Sequence, residues 1–230
     1  MIPIVLVPGL LCSAEIFARQ IPALWPHGPV TVASTLVGET IAEIAAAILA
    51  TAPSRFALAG ISMGGYISFE IIRQAPQRVL KLALLDTSAR PDTPEQIAQR
   101  LSLIERARAD NFEALAVPLM GALTHPSRRD DPALREINLR MIRAIGFDGF
   151  ERQTRAIVAR VDSRPSLAAI SVPTLALVGD SDPLTPPECS EEIAAAIPNA
   201  RLAVAMQCGH ASTLEQPEFV NCALLEWIAG

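Results

Sequence analysis

Ser62 stands between two glycines in Gly60-Ile61-Ser62-Met63-Gly64, after the apolar run from Arg55 to Ile61 and before a helical pattern. A hydroxyl adds nothing to a buried strand end, and a plain tight turn calls for glycine rather than serine. Glycines on both sides make sense if the chain must turn sharply from strand to helix, leaving the serine exposed on a strained backbone where a neighbouring Cβ would clash. A serine held in this way can attack a carbonyl, and the free N–H groups of the helix start then point toward the developing oxyanion.

Such a serine needs a base, and the chain has three histidines. His27 lies in a turn between Pro26 and Gly28, and His125 precedes Pro126 beside a polar loop. His210, in Gln207-Cys208-Gly209-His210-Ala211, follows the last apolar run. Its loop is expected to leave the same sheet edge that carries Ser62, so His210 is the candidate general base. The base needs a carboxylate to fix its tautomer. Asp182 ranks first, far enough along Gly179-Asp180-Ser181-Asp182-Pro183-Leu184-Thr185-Pro186 to reach the next strand's loop. Asp86 ranks second, and Asp180 third as a brace of its own turn. Thr185-Pro186-Pro187-Glu188 reads as a capping box opening the next helix.

Oxyanion donors are expected from the Met63 amide and from Leu10, in Val7-Pro8-Gly9-Leu10-Leu11-Cys12, with Leu11 an open alternative to Leu10. Cys12 has no basic neighbour to lower its pKa and is a weak candidate nucleophile.

These residues must be positioned by the elements around them. The runs Ile2–Val7, Val30–Leu36, Arg55–Ile61, Val79–Leu85, Pro173–Val178 and Ala200–Ala205 each read as a strand of a sheet covered on both faces. Ile41, Ile44 and Ile48 recur at helical spacing, as do Phe69 and Ile72. The succession predicts an α/β fold with an open, mostly parallel sheet of about six strands flanked by helices. After Leu85 the signals turn helical only. Thr93-Pro94-Glu95-Gln96 reads as a capping box, Asp131-Pro132 opens a second helix ending at Gly146, and Phe150, Ile157 and Val161 suggest a third. The expected division is a core of residues 1–88 and 166–230 with a helical cap over 89–165, placed over the sheet edge where ligands sit.

The net charge of -5 argues against a nucleic-acid partner. Residues 90–164 nevertheless carry 13 arginines against 11 acids, leaving +2, while the remainder carries 6 basic and 13 acidic residues, leaving −7. The plain reading of that arginine-rich segment is a solvated face of ion pairs, and the sharper one a docking surface for an acidic carrier protein. Four scattered cysteines without metal-finger spacing point to reduced thiols. The apolar start has no basic side chain before Arg19 and is broken by Pro8-Gly9, a poor signal peptide. With no run of about 20 apolar residues to span a membrane, a cytoplasmic protein is expected.

Together the elbow Gly60–Gly65, the acid loop Gly179–Pro186 and the terminal Cys208-Gly209-His210-Ala211-Ser212 resemble the α/β-hydrolase fold superfamily, in particular its small cap-bearing serine hydrolases. The order Ser62, Asp182, His210 is that of the superfamily. The resemblance covers nearly the whole chain. It implies a triad of Ser62, Asp182 and His210, an oxyanion hole from Leu10 and Met63, and no metal or organic cofactor. Members usually have His-Gly where this chain has Pro8-Gly9, and the run Ile2–Val7 matches the family's third strand, so six strands rather than eight are expected.

The implied activity is hydrolysis of a small carboxylic ester through an acyl-enzyme. Thioesterase, enol-lactonase and carrier-protein methyl esterase are alternatives that use the same machinery, as is a non-enzymatic small-molecule receptor on the same fold, which turnover would distinguish.

Overall fold

The apolar runs become six strands and the periodic segments between them helices, over the residues 1–230 that the computed structural model describes. In chain order the elements are β1 (Ile4–Val7), α1 (Gln20–Leu24), β2 (Val30–Val32), α2 (Ile41–Thr51), β3 (Phe56–Ile61), α3 (Met63–Gln74) and β4 (Val79–Leu85). Three helices follow without a strand between them: α4 (Pro94–Ala109), α5 (Phe112–Ala122) and α6 (Pro132–Val158). The alternation resumes with β5 (Thr174–Gly179), α7 (Pro187–Ala196), β6 (Ala200–Ala205), α8 (Ser212–Glu215) and α9 (Pro217–Ala229).

All strands pair in parallel, in the order β2-β1-β3-β4-β5-β6. The order reverses at β1, so a crevice opens beyond the carboxyl ends of β1 and β3, the place where open α/β sheets bind ligands. Successive residues of each strand feed opposite faces. Phe56 and Leu58 of β3 join Ile44, Ile67 and Ile193 from α2, α3 and α7 in a buried cluster of 24 residues. Ala57, Ala59 and Ile61 join Leu24, Leu224 and Trp227 from α1 and α9 in another of 21. With both faces covered, β3 is buried along its whole length, which explains its unbroken apolar sequence.

The helices of the insertion have a small core of their own, in which Ile104, Ala116, Ile142 and Phe150 pack with Leu11 from the loop after β1. Leu11 thus ties the insertion to the crevice. The capping box at Thr93 forms, and Asp131 caps α6 through the Ala133 and Leu134 amides. Gly146, at φ 68°, breaks α6 where the sequence suggested one helix ending and another beginning, although Val161 lies beyond its last turn and is exposed.

Two sequence expectations are corrected, and one helix is added. β2 ends at Val32 rather than Leu36, because β1 turns away at Pro8 and offers no ladder beyond the Ala33 amide's bond to Leu6. β6 is an edge strand with Arg201 and Leu202 exposed, not a strand buried on both faces. α5 was not expected from the sequence; it contains Pro118 and Gly121, and Asn111 caps its start by accepting from the Ala114 amide.

Of the 13 arginines in residues 90–164, Arg106 and Arg135 lie at the surface without a partner, Arg160 is nearly buried against Tyr66, Arg100, discussed below, turns inward, and the other nine donate to acids or backbone carbonyls. Arg140 pairs with Glu15 and Glu136, and Arg143 with Glu113. No helix is long and apolar enough to cross a membrane.

Candidate active site

Ser62 sits between the end of β3 and the start of α3 with φ 55° and ψ −118°, a conformation strained for any residue but glycine. The strain is imposed by close approach of backbone. A Cβ on Gly60 would collide with the Gly64 carbonyl, and one on Gly64 with the carbonyl of Val7, so β1, β3 and α3 converge only if both positions are glycine. The elbow is tied down from behind, where the Ser62 amide donates to the Leu85 carbonyl (2.9 Å) and Thr87 Oγ1 to the Ser62 carbonyl (2.8 Å).

His210 leaves the loop after β6 with Nε2 2.8 Å from Ser62 Oγ and Nδ1 2.7 Å from Asp182 Oδ2. The anionic partner holds the proton on Nδ1 and leaves Nε2 as the acceptor for the serine hydroxyl. Asp182 is closed off from solvent and fully bonded. Its Oδ1 accepts from the amides of Leu184 (2.8 Å) and Thr185 (2.9 Å), and its Oδ2 from Thr185 Oγ1 (2.8 Å). Burial pushes the Asp182 carboxyl up, but the charge and hydrogen bond of His210 and the Thr185 bonds outweigh it and leave it below the ordinary value. Burial likewise pulls His210 down, while Asp182 pulls it up further, so its net shift is upward.

Asp86 and Asp180, the other two candidates, do not touch the imidazole. Asp86 is fully buried, accepts from the Gly179 (3.1 Å) and Ser212 (3.0 Å) amides, and so joins the acid loop to the segment after His210. Burial and the charge of Asp182 push its carboxyl up to about 7. Asp180 accepts from the Cys208 amide (3.0 Å), bracing the turn as its position suggested. Of the other histidines, His125 bonds Ser127 Oγ and His27 sits in a turn near Ile2. The Cys12 thiol is buried and pushed up to about 12.

The two leucines after β1 part company. The Leu11 amide donates to Gln153 Oε1 (3.1 Å), Gln153 Nε2 in turn donates to Thr35 Oγ1 (2.9 Å), and Leu11 sits at φ 60°. The Leu10 amide has no partner. Met63 is the first residue of α3, so its amide has no acceptor within the helix. The Leu10 and Met63 amides are therefore both left without an acceptor, as the oxyanion expectation requires.

Two residues that sequence reasoning passed over hold this arrangement. Thr185 was expected to cap α7, but that helix begins without a side-chain cap because the Thr185 hydroxyl is turned back onto Asp182. Glu215, buried in α8, accepts from the amides of Gly209 (3.1 Å), Ala211 (3.3 Å) and His125 (2.8 Å), while the His210 amide donates to the Leu123 carbonyl (2.8 Å). The histidine loop is thus bonded to the helical insertion on both sides. In sequence Glu215 is one acid in the polar run Ser212-Thr213-Leu214-Glu215-Gln216, which by itself says nothing of its partners.

Ser62 and His210 open into a cavity of about 340 Å³ between the sheet edge and the insertion, walled by Leu10, Leu119, Met120, Leu123, Phe150 and Ile157. No group of three or more His, Cys, Asp or Glu side chains is arranged to hold a metal.

The same architecture occurs in known proteins. The chain is 31% identical to a thermophilic esterase from Thermogutta terrifontis, solved with malate bound, over 100% of this chain and 90% of that one, with a TM-score of 0.89. An enol-lactonase from Burkholderia xenovorans superposes with a TM-score of 0.88 over 99% of this chain and 91% of that one, at 24% identity, a likeness of fold alone. In sequence, the chain is 29% identical over 221 residues to the pimeloyl-[acyl-carrier protein] methyl ester esterase of Aromatoleum aromaticum, covering 89% of this chain and 84% of that protein. The family model for the alpha/beta hydrolase fold matches residues 37–217, and with the elbow, the sheet order and these relatives in agreement, the chain belongs to the alpha/beta hydrolase family and is a hydrolase.

Proposed function

We propose that the protein hydrolyses a small carboxylic ester through an acyl-enzyme, with Ser62 as nucleophile, His210 as general base and acid, and Asp182 as the group that orients His210. The observation that carries this reading is the unbroken line of hydrogen bonds from Asp182 through both imidazole nitrogens to Ser62 Oγ, with the unpartnered Leu10 amide beside it. Ser62 Oγ attacks the ester carbonyl as Nε2 takes its proton. The carbonyl oxygen becomes an oxyanion received by the Leu10 and Met63 amides. His210 then returns the proton to the departing alkoxide, leaving an acyl group on Ser62, and a water deprotonated by His210 releases the acid.

The mostly apolar cavity supports an acyl or alkyl chain as its occupant. The esterase relatives support an ester rather than another acyl bond. A carrier-linked substrate is supported only by the methyl ester esterase relatives, since the arginines of the insertion are largely matched by acids or backbone carbonyls.

The pH dependence of ester turnover tests this reading. Only neutral His210 can accept the serine proton, and its pKa lies above the ordinary 6.5. A plot of kcat/KM against pH is expected to rise as one proton is lost, with its midpoint above that value. In Asp182→Asn the midpoint should move to lower pH, because the charge that favours the imidazolium is gone. A wild-type profile flat through the neutral range would contradict His210 as the base.

A further inference from the structure

One wall of the cavity is not apolar. Arg100, on α4, reaches it with a guanidinium that is bonded only through Nε, which donates to Asp92 Oδ2 at 2.6 Å. Both Nη atoms are without a partner. The other oxygen of Asp92 is taken by Arg160 Nη2 at 2.9 Å. Arg160 is used up entirely, donating also to the carbonyls of Arg90 and Ile157 and lying 4.2 Å above the ring of Tyr66. Two guanidinium groups therefore share one nearly buried carboxylate, whose side chain is only 3% exposed. One positive charge is left over, and it faces the cavity on Arg100.

One hydroxyl lies along the same wall. Tyr66, one turn after Ser62 on α3, has a side chain buried against Arg160 and a hydroxyl that bonds nothing. An unpaired guanidinium fork beside an unbonded hydroxyl suits a planar group with two acceptor oxygens and one negative charge.

We infer that the cavity selects esters carrying a free carboxylate at the end remote from the reacting carbonyl, held by the Nη atoms of Arg100 and the hydroxyl of Tyr66. This rests on the ester-hydrolase reading for the reaction, but not for the binding. A single excess positive charge matches a monoanion, and a phosphate dianion would overcompensate it. The rest of the cavity, apolar from Leu119 to Leu123 and at Ile157, takes the methylenes between the two ends.

The test compares monomethyl glutarate with methyl valerate, esters of matched acyl length that differ in the terminal carboxylate. In wild-type protein, kcat/KM for the anionic ester is expected to exceed that for the neutral one roughly 10-fold or more. Arg100→Gln should collapse that ratio roughly 10- to 100-fold, mainly through KM. Arg100→Lys, which keeps the charge but not the fork, should restore part of it. Because the ratio is internal to each protein, general damage to the fold lowers both esters and leaves it in place. A wild-type ratio near or below one, or a ratio untouched by Arg100→Gln, would overturn the assignment.

Calorimetry on Ser62→Ala separates this from the catalytic reading. Binding of monomethyl glutarate that is lost in Ser62→Ala/Arg100→Gln upholds the pocket even if wild-type protein turns over neither ester, in which case the ester-hydrolase reading fails. Turnover of both esters at equal rates, with no binding difference, sinks the pocket and leaves that reading intact.

Discussion

Replacing Ser62 by alanine is expected to lower kcat for ester hydrolysis on the order of 10⁶-fold, and replacing His210 by alanine to cost about as much. The double variant should be little worse than either. The reason is the geometry: Ser62 Oγ is activated only through its 2.8 Å bond to His210 Nε2, so removing either end removes the same attack. What remains in each variant is the contribution of the Leu10 and Met63 amides and of binding, which neither substitution touches. Single-turnover rates with an activated ester would report this. Losses that multiply in the double variant would mean that the two residues act independently and that the line of bonds between them is not the working unit.

The carboxylates give the second large effect. Asp182→Asn is expected to reduce kcat about 10³- to 10⁴-fold while the protein remains folded. An amide in place of the carboxylate can still accept from the Leu184 and Thr185 amides at Oδ1, but where Oδ2 now meets His210 Nδ1 and the Thr185 hydroxyl it would present an N–H to a donor. The imidazole would then favour the tautomer with its proton on Nε2, facing the serine. Asp86→Asn should act differently, because Asp86 holds two backbone amides and no side chain of the site. Its variant is expected to lose stability in denaturant melts and to lose far less in kcat. A greater kcat loss in Asp86→Asn than in Asp182→Asn would reverse the two roles.

The contrast between these carboxylates also shows how far sequence reasoning reaches. The elbow was legible because its chemistry restricts the residue types: only glycine fits at Gly60 and Gly64, where Cβ atoms would meet the carbonyls of Gly64 and Val7. The parallel sheet was legible because strands buried on both faces lose their polar alternation, as β3 does. Asp182 ranked above Asp86 by its distance along the loop, and the structure places Asp182 against the imidazole.

Other features depend on contacts between distant segments that carry no local signature. Thr185 read as a helix cap, since its spacing to Glu188 matches a capping box, and nothing local says that its hydroxyl turns back to Asp182. Leu10 and Leu11 are indistinguishable until Gln153, 142 residues away, takes the Leu11 amide. Glu215 and Arg100 are a plain acid and a plain base in sequence. Burial makes the first a tie between His210 and the insertion, and the sharing of Asp92 leaves the second with a free charge.

The identity of the nucleophile is the claim on which the mechanism turns, and covalent labelling reads it directly. Treating the protein with a fluorophosphonate and locating the adduct by mass spectrometry after proteolysis should place a single modification on the peptide containing Gly60-Ile61-Ser62-Met63-Gly64, absent from Ser62→Ala and greatly slowed in His210→Ala. Modification at any other serine, or labelling that persists at full rate in Ser62→Ala, would contradict it.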